Sequence, residues 1–185
     1  MDLIQGILTR SSNPKLVSPA PQPEQLNTVI RCGARAPDHG RMRPWRFVVV
    51  EGEGLAQLGA VFEAATLQDN PQAETAALAR ARSLPLRAPM IIMVAAVTAE
   101  NPKVPRIEQI IAAGAAAQNI QLALHALGYG CMWRTGAMAA HPHVKSFFKL
   151  KSEDEIVGFL YVGTIDGEPR AVVEEAVENY LEFMS

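Results

Sequence analysis

Between Arg106 and Leu127 the sequence runs without a proline, and its centre, Ala112-Ala113-Gly114-Ala115-Ala116-Ala117, carries no bulky side chain on any face. A helix over this stretch is predicted, roughly 33 Å long at about 1.5 Å per residue, which is the diameter of a small domain. Such a helix forms a central spine. Its small residues invite another helix to pack closely, either from the same chain or from a second copy. Glu108, Gln109, Gln118, Asn119, Gln121 and His125 interrupt the apolar run, so it reads as a buried helix rather than a bilayer span.

Around this spine, three short apolar runs rich in β-branched or aromatic residues read as core strands: Trp45 to Val50, Met90 to Val97 and Ile156 to Val162. Helical stretches are expected at about Leu55 to Ala65 and Ala73 to Ser83. A further helix is opened by Pro23, continues through Leu26, Val29 and Ile30 toward Ala34, and stops before Pro37. The residues alone leave the class open between α/β and α+β. The 185 residues suit one domain spanning 1–185, because domains run to about 100–200 residues.

A net charge of −2 gives no footprint for nucleic acid or an anionic membrane, and neither partner is expected. Cys32 and Cys131 are far apart in sequence and have no metal-ligand spacing. Met1 to Thr9 is short, carries Asp2 and does not read as a secretory leader, so a cytoplasmic location is expected.

Several motifs have a structural as well as a functional reading. Gly128-Tyr129-Gly130 closes a helix instead of opening one, so Gly128 reads as a C-terminal cap rather than part of a dinucleotide fingerprint. His141-Pro142-His143 lacks a third ligand, and no metal is expected. His125 reads as a hydrogen-bonded core or interface residue, and Cys131 as an inert core thiol. Five arginines between Arg31 and Arg46 suggest either an anion site or a solvated face. Arg10-Ser11-Ser12 could fork onto a phosphate or simply end a helix.

Three segments in this order resemble the FMN-dependent nitroreductase family, most closely its short, minimal branch. They are Arg10-Ser11-Ser12 after an N-terminal helix; Ala36-Pro37-Asp38-His39 followed by Pro44-Trp45-Arg46-Phe47; and Leu127-Gly128-Tyr129-Gly130-Cys131-Met132-Trp133 after the long helix. The resemblance runs from about Ile7 to Gly163. It implies an α+β nitroreductase-like fold, with a central mixed sheet flanked by helices and the long helix at a homodimer interface that builds two FMN sites.

By that resemblance, Arg10 and Ser12 hold the FMN phosphate and ribityl end, Arg35 and His39 contact the flavin, and Cys131, Met132 and Trp133 line it. Arg134 adds a phosphate contact, and Ser11, Pro37, Gln118 and Gln121 complete the cofactor-binding set. The chain departs from the family in having Ser11 and Pro14 where relatives carry basic residues, which leaves Lys15 as a substitute. Arg41 and Arg43 stand where relatives place Asn and Gln.

The implied activity is an NADH- or NADPH-dependent flavin oxidoreductase that reduces nitroaromatic, quinone or similar planar small-molecule acceptors by ping-pong hydride transfer. No catalytic side chain is needed, because the flavin carries the redox chemistry. The competing reading is a flavin-binding redox sensor or FMN carrier without turnover.

Overall fold

The computed structural model describes residues 2–184. A short N-terminal helix α1 (Leu3–Thr9) leads through strand β1 (Leu16–Val17) to α2 (Pro23–Gly33). A single 3-10 turn at His39–Arg41 precedes β2 (Trp45–Glu51), α3 (Glu53–Asp69) and α4 (Thr75–Ser83). Strand β3 (Met90–Ala96), the spine α5 (Arg106–Ala126), β4 (Gly130–Arg134), α6 (Ala137–Ala140), α7 (Pro142–Phe147) and β5 (Glu155–Ile165) follow. The class is α+β.

The strands form one sheet in the order β1-β5-β3-β2, with β4 also on β5. Every strand ladder is antiparallel. The expected mixed sheet therefore reduces to an antiparallel one with an isolated parallel bridge between Ser12 and Cys131. Strands β1 and β4 share one edge of β5: Gly130 pairs with Gly163, and Leu16 with Ile165.

The sheet lies between two layers of helices, which explains why β3 is apolar without alternation: both faces are covered. Met90, Ile92 and Val94, with Leu160 and Val162 of β5, pack against Val29 of α2 and Ala117, Ile120 and Leu124 of α5. Ile91, Met93 and Ala95, with Phe159 and Tyr161, pack against Leu58 and Phe62 of α3 and against Val144 and Phe148 at α7. The two-residue period of β4 divides its side chains in the same way, with Cys131 and Trp133 toward α5 and Met132 toward α3.

The small residues of α5 meet the intrachain neighbour α2. A Cβ placed on Gly33 would lie 2.8 Å from Ile120 Cγ1 and 3.4 Å from the Ala116 carbonyl. The other side of α5 stays open, because a Cβ on Gly114 would meet nothing within 4 Å.

Gly128 caps α5 as the sequence suggests. At φ 85° it donates its N–H to the His125 carbonyl at 3.0 Å, and the Tyr129 N–H reaches the Leu124 carbonyl at 2.9 Å, a Schellman closure. That sharp turn sends the chain back along the sheet as β4. The strand itself was not legible in Gly-Cys-Met-Trp-Arg, which shows no hydrophobic period. It forms because β5 offers it an edge.

Candidate functional site

The Arg10–Asn13 segment is held against the outer edge of β4. The Asn13 N–H donates to the Cys131 carbonyl at 3.1 Å, and the side-chain amide of Asn13 donates to the Ser11 carbonyl and hydroxyl at 3.1 and 3.3 Å. The Asn13 Oδ1 in turn accepts from the Arg170 N–H at 3.0 Å. Asn13 is buried and fixes the shape of the segment. It was missed from sequence because Asn-Pro reads only as a turn.

Just before this segment, Thr9 Oγ1 lies 3.0 Å from His125 Nε2, pinning the end of α1 to the C-terminal end of α5. Burial, together with the neighbouring Arg10 guanidinium, holds the His125 pKa below its ordinary value. The same two influences act in opposition on Cys131. Burial pushes that thiol up to about 12, against a smaller downward pull from Arg10. A thiol so protected stays protonated at neutral pH and is not a nucleophile.

Beyond Cys131 the edge of β4 is open. The Cys131 carbonyl points away from β5 to meet Asn13, and the two-residue ladder period turns the N–H and C=O of Trp133 the same way. The Trp133 side chain is occupied elsewhere: its indole N–H donates to the Val157 carbonyl at 3.1 Å, and it lies so close over β5 that only a glycine fits at 158. Among the described residues no carboxylate pairs with Arg10. This end of the protomer therefore offers a free cation, the Ser11 and Ser12 hydroxyls and an open strand edge.

Gln118 and Gln121 lie on α5 toward the same end. Gln121 is buried and donates its amide to Gln118 Oε1 at 3.2 Å, so it acts through Gln118 rather than presenting itself. Lys15 lines a cleft with Asp166, Glu168 and Arg170, which brings a second cation, Arg170, beside the Arg10–Asn13 segment.

The second group sits at the other end of α5. Arg35 and Pro37 follow α2, and His39 opens the 3-10 turn; all three are exposed. The loop is unusual in backbone terms. Gly40, Arg41 and Arg43 have φ of 69°, 54° and 50°, a region that non-glycine residues rarely occupy and that concentrates at functional sites. Asp38 Oδ2 holds it by accepting from the Arg43 N–H at 2.6 Å. His39 Nδ1 faces Glu108 Oε2 in the first turn of α5, leaving Nε2 free.

These two groups are not brought together within one protomer. At about 1.5 Å per residue, the stretch of α5 from Glu108, beside His39, to His125, beside Thr9, spans roughly 26 Å. Arg134 is separated in another sense. Its guanidinium lies 5.5 Å from the centroid of the Tyr161 ring, on the α3 face of the sheet, whereas Cys131 and Trp133 point to the α5 face. Arg134 thus faces away from Cys131 and the Arg10 side of the sheet, because residues three apart in a strand face opposite ways.

His141 is likewise occupied. It caps α7 by accepting from the His143 N–H at 3.0 Å, and its Nε2 lies 3.4 Å from Asp69.

The fold with a long spine helix, a capped glycine turn and an edge strand beside an Arg-Ser-Ser segment is that of a known oxidoreductase family. The Nitroreductase family profile matches residues 7–164. The Escherichia coli K12 protein named "Putative NAD(P)H nitroreductase YdjA" is 44% identical over 164 residues, covering 89% of this chain and 88% of that protein. A Haemophilus influenzae protein named "Putative NAD(P)H nitroreductase" is 36% identical over 165 residues, 89% of each.

Among solved structures, a nitroreductase-like family protein of Bacillus cereus superposes with a TM-score of 0.84 at 23% identity, covering 100% of this chain and 96% of that one. A Bacteroides fragilis nitroreductase solved with bound FMN superposes with a TM-score of 0.75 at 18% identity over the full length of both. The chain belongs to the Nitroreductase family, a family of oxidoreductases.

Proposed function

We propose that this chain is an FMN-dependent NADH or NADPH oxidoreductase, working as a cytoplasmic homodimer in which residues 1–185 form one FMN-binding domain. The observation that carries the reading is the division of the candidate residues between the two ends of α5. A second copy with its α5 antiparallel to the first brings the Arg35-Pro37-His39 group of one protomer to the Arg10-Ser11-Ser12 and Cys131-Met132-Trp133 group of the other. The symmetry axis then crosses α5 near its midpoint, where Gly114 and Ala115 leave room for close approach. Such a two-fold arrangement builds two equivalent sites from one interface.

The chemistry of each group suits a different part of the flavin nucleotide. Arg10 supplies the planar fork that grips two phosphate oxygens, with Ser12 and Ser11 as hydroxyl partners and Arg170 as a nearby cation. The free backbone edge at Trp133 matches a polar ring edge that both donates and accepts. Arg35 presents positive charge that would stabilise a reduced, anionic ring by preorganised electrostatics, and Glu108 holds the His39 ring in the same loop. FMN held there would supply the redox chemistry, two-electron exchange between a nicotinamide and a planar nitroaromatic or quinone acceptor.

The supporting experiment is chromatography of the supernatant from the heat-denatured, purified protein. FMN at one per chain is expected; FAD, or no flavin after incubation with FMN, would overturn the reading.

A further inference from the structure

We propose that the cavity bounded by Arg87, Arg134 and Tyr161, on the α3 face of the sheet, binds a small organic monocarboxylate with an apolar body. The cavity holds about 400 Å³, and its walls include Phe62, Leu84, Met138 and Phe159. Met132 and Trp133 of β4 also border it, but its cations and Tyr161 lie across the sheet from Cys131 and the Arg10 segment, where the flavin phosphate is proposed.

Arg134 carries the proposal. Its Nε is buried with no hydrogen-bond partner, and no ion pair among the described residues includes Arg134 or Arg87. Leaving a buried donor of a cation without a hydrogen-bond partner is costly. The Tyr161 ring covers one face of the guanidinium, 5.5 Å from its centroid, and offsets part of that cost. It leaves the in-plane donors unmatched, and those donors are the ones that fit a carboxylate fork.

The remaining groups agree. Burial pushes the Tyr161 hydroxyl up, against a smaller downward pull from Arg134 and Arg87, so the phenol keeps its proton at neutral pH and can donate to an anion. The exposed Arg87 adds a second cation at the mouth. The apolar walls provide burial for a ring or branched chain and nothing to solvate a polyanion, which favours one carboxylate over a phosphate.

Isothermal titration calorimetry of the full-length, flavin-loaded protein tests this with benzoate as the probe, and with benzyl alcohol and inorganic phosphate as the arms that lack charge or apolar body. Benzoate should saturate at one per chain without releasing flavin, and both other probes should bind at least about tenfold more weakly. Arg87→Gln should weaken benzoate about tenfold or more, the effect of losing a charged hydrogen-bond donor. Met138→Trp, which fills the cavity from another wall, should abolish binding independently should either variant fold poorly. The proposal is overturned by no saturable benzoate heat, by equal benzoate affinity in folded Arg87→Gln, or by displacement of flavin by benzoate. Phosphate binding as tightly as benzoate would also overturn it, leaving charge alone.

Discussion

His39 Nδ1 lies 2.6 Å from Glu108 Oε2, joining the positive-φ loop after α2 to the first turn of α5. Both side chains are substantially exposed, so the pair contributes at most about 1 kcal/mol to stability. Its consequence lies in orientation: with the Nδ1–H committed to the carboxylate, Nε2 is the ring nitrogen left to meet a ligand. Glu108→Gln should leave thermal unfolding nearly unchanged. It should shift the midpoint potential of the bound flavin, because the carboxylate no longer fixes the orientation of the His39 ring. Spectroelectrochemistry reads this directly, and an unchanged midpoint potential would exclude the pair from the flavin's environment.

Arg10 should anchor the phosphate. A hydrogen bond to a charged group contributes about 1.5–3 kcal/mol, so Arg10→Ala should weaken FMN roughly 10- to 150-fold while the fold persists. Lysine should rescue only in part, since it keeps the charge and loses the fork. Riboflavin, which lacks the phosphate, should bind wild type and variant alike. Fluorescence quenching measures all these affinities, and equal FMN binding by folded Arg10→Ala would move the phosphate to Arg170.

Much of this was legible in the sequence, for identifiable reasons. The spine helix, its Gly128 cap and the three long strands follow from periodicity and from one residue that tolerates positive φ. Strands β1 and β4 were not legible, because neither has a pattern of its own and both exist as edges offered by β5. The same blindness hid the direction of Arg134: without knowing that Gly130–Arg134 is a strand, nothing shows that Arg134 faces away from Cys131. Asn13, Glu108 and Thr9 were missed because each acts by holding a neighbour, through contacts across 116, 69 and 118 positions of chain respectively for Thr9 to His125, Glu108 to His39 and Asn13 to Cys131.

Cys131 should resist alkylation in the native protein at mildly alkaline pH and react once the chain is unfolded, because burial pushes its pKa up to about 12. The same shift has a sign in stability. Between the ordinary thiol value, about 8.5, and about 12 the unfolded thiol ionises and the folded one does not, so stability falls as pH rises. Mass spectrometry of the iodoacetamide-treated native protein checks the first statement. Ready modification of Cys131 would show that the site opens.

A second copy should cover the apolar surface of α1 and the open side of α5. Leu3 and Leu8 are 68% and 61% exposed, and Ile107 and Ile111 are 60% and 62% exposed. A seven-residue helix so exposed is not stable alone. Sedimentation at micromolar protein should give a particle of twice 20.0 kDa. Replacing Gly114 with Trp should block the close approach of the two α5 helices, giving monomers that lose flavin. A monomer that retained flavin would contradict the shared site.

Electron transfer from a nicotinamide through bound FMN is read out by anaerobic mixing of the flavin-loaded protein with NADH or NADPH while the flavin absorbance is followed. Bleaching by at least one of the two is expected, with recovery of the absorbance when a quinone is added after the nicotinamide is consumed. Flavin that stays oxidised with both nicotinamides would contradict it and leave a flavin-binding sensor or carrier.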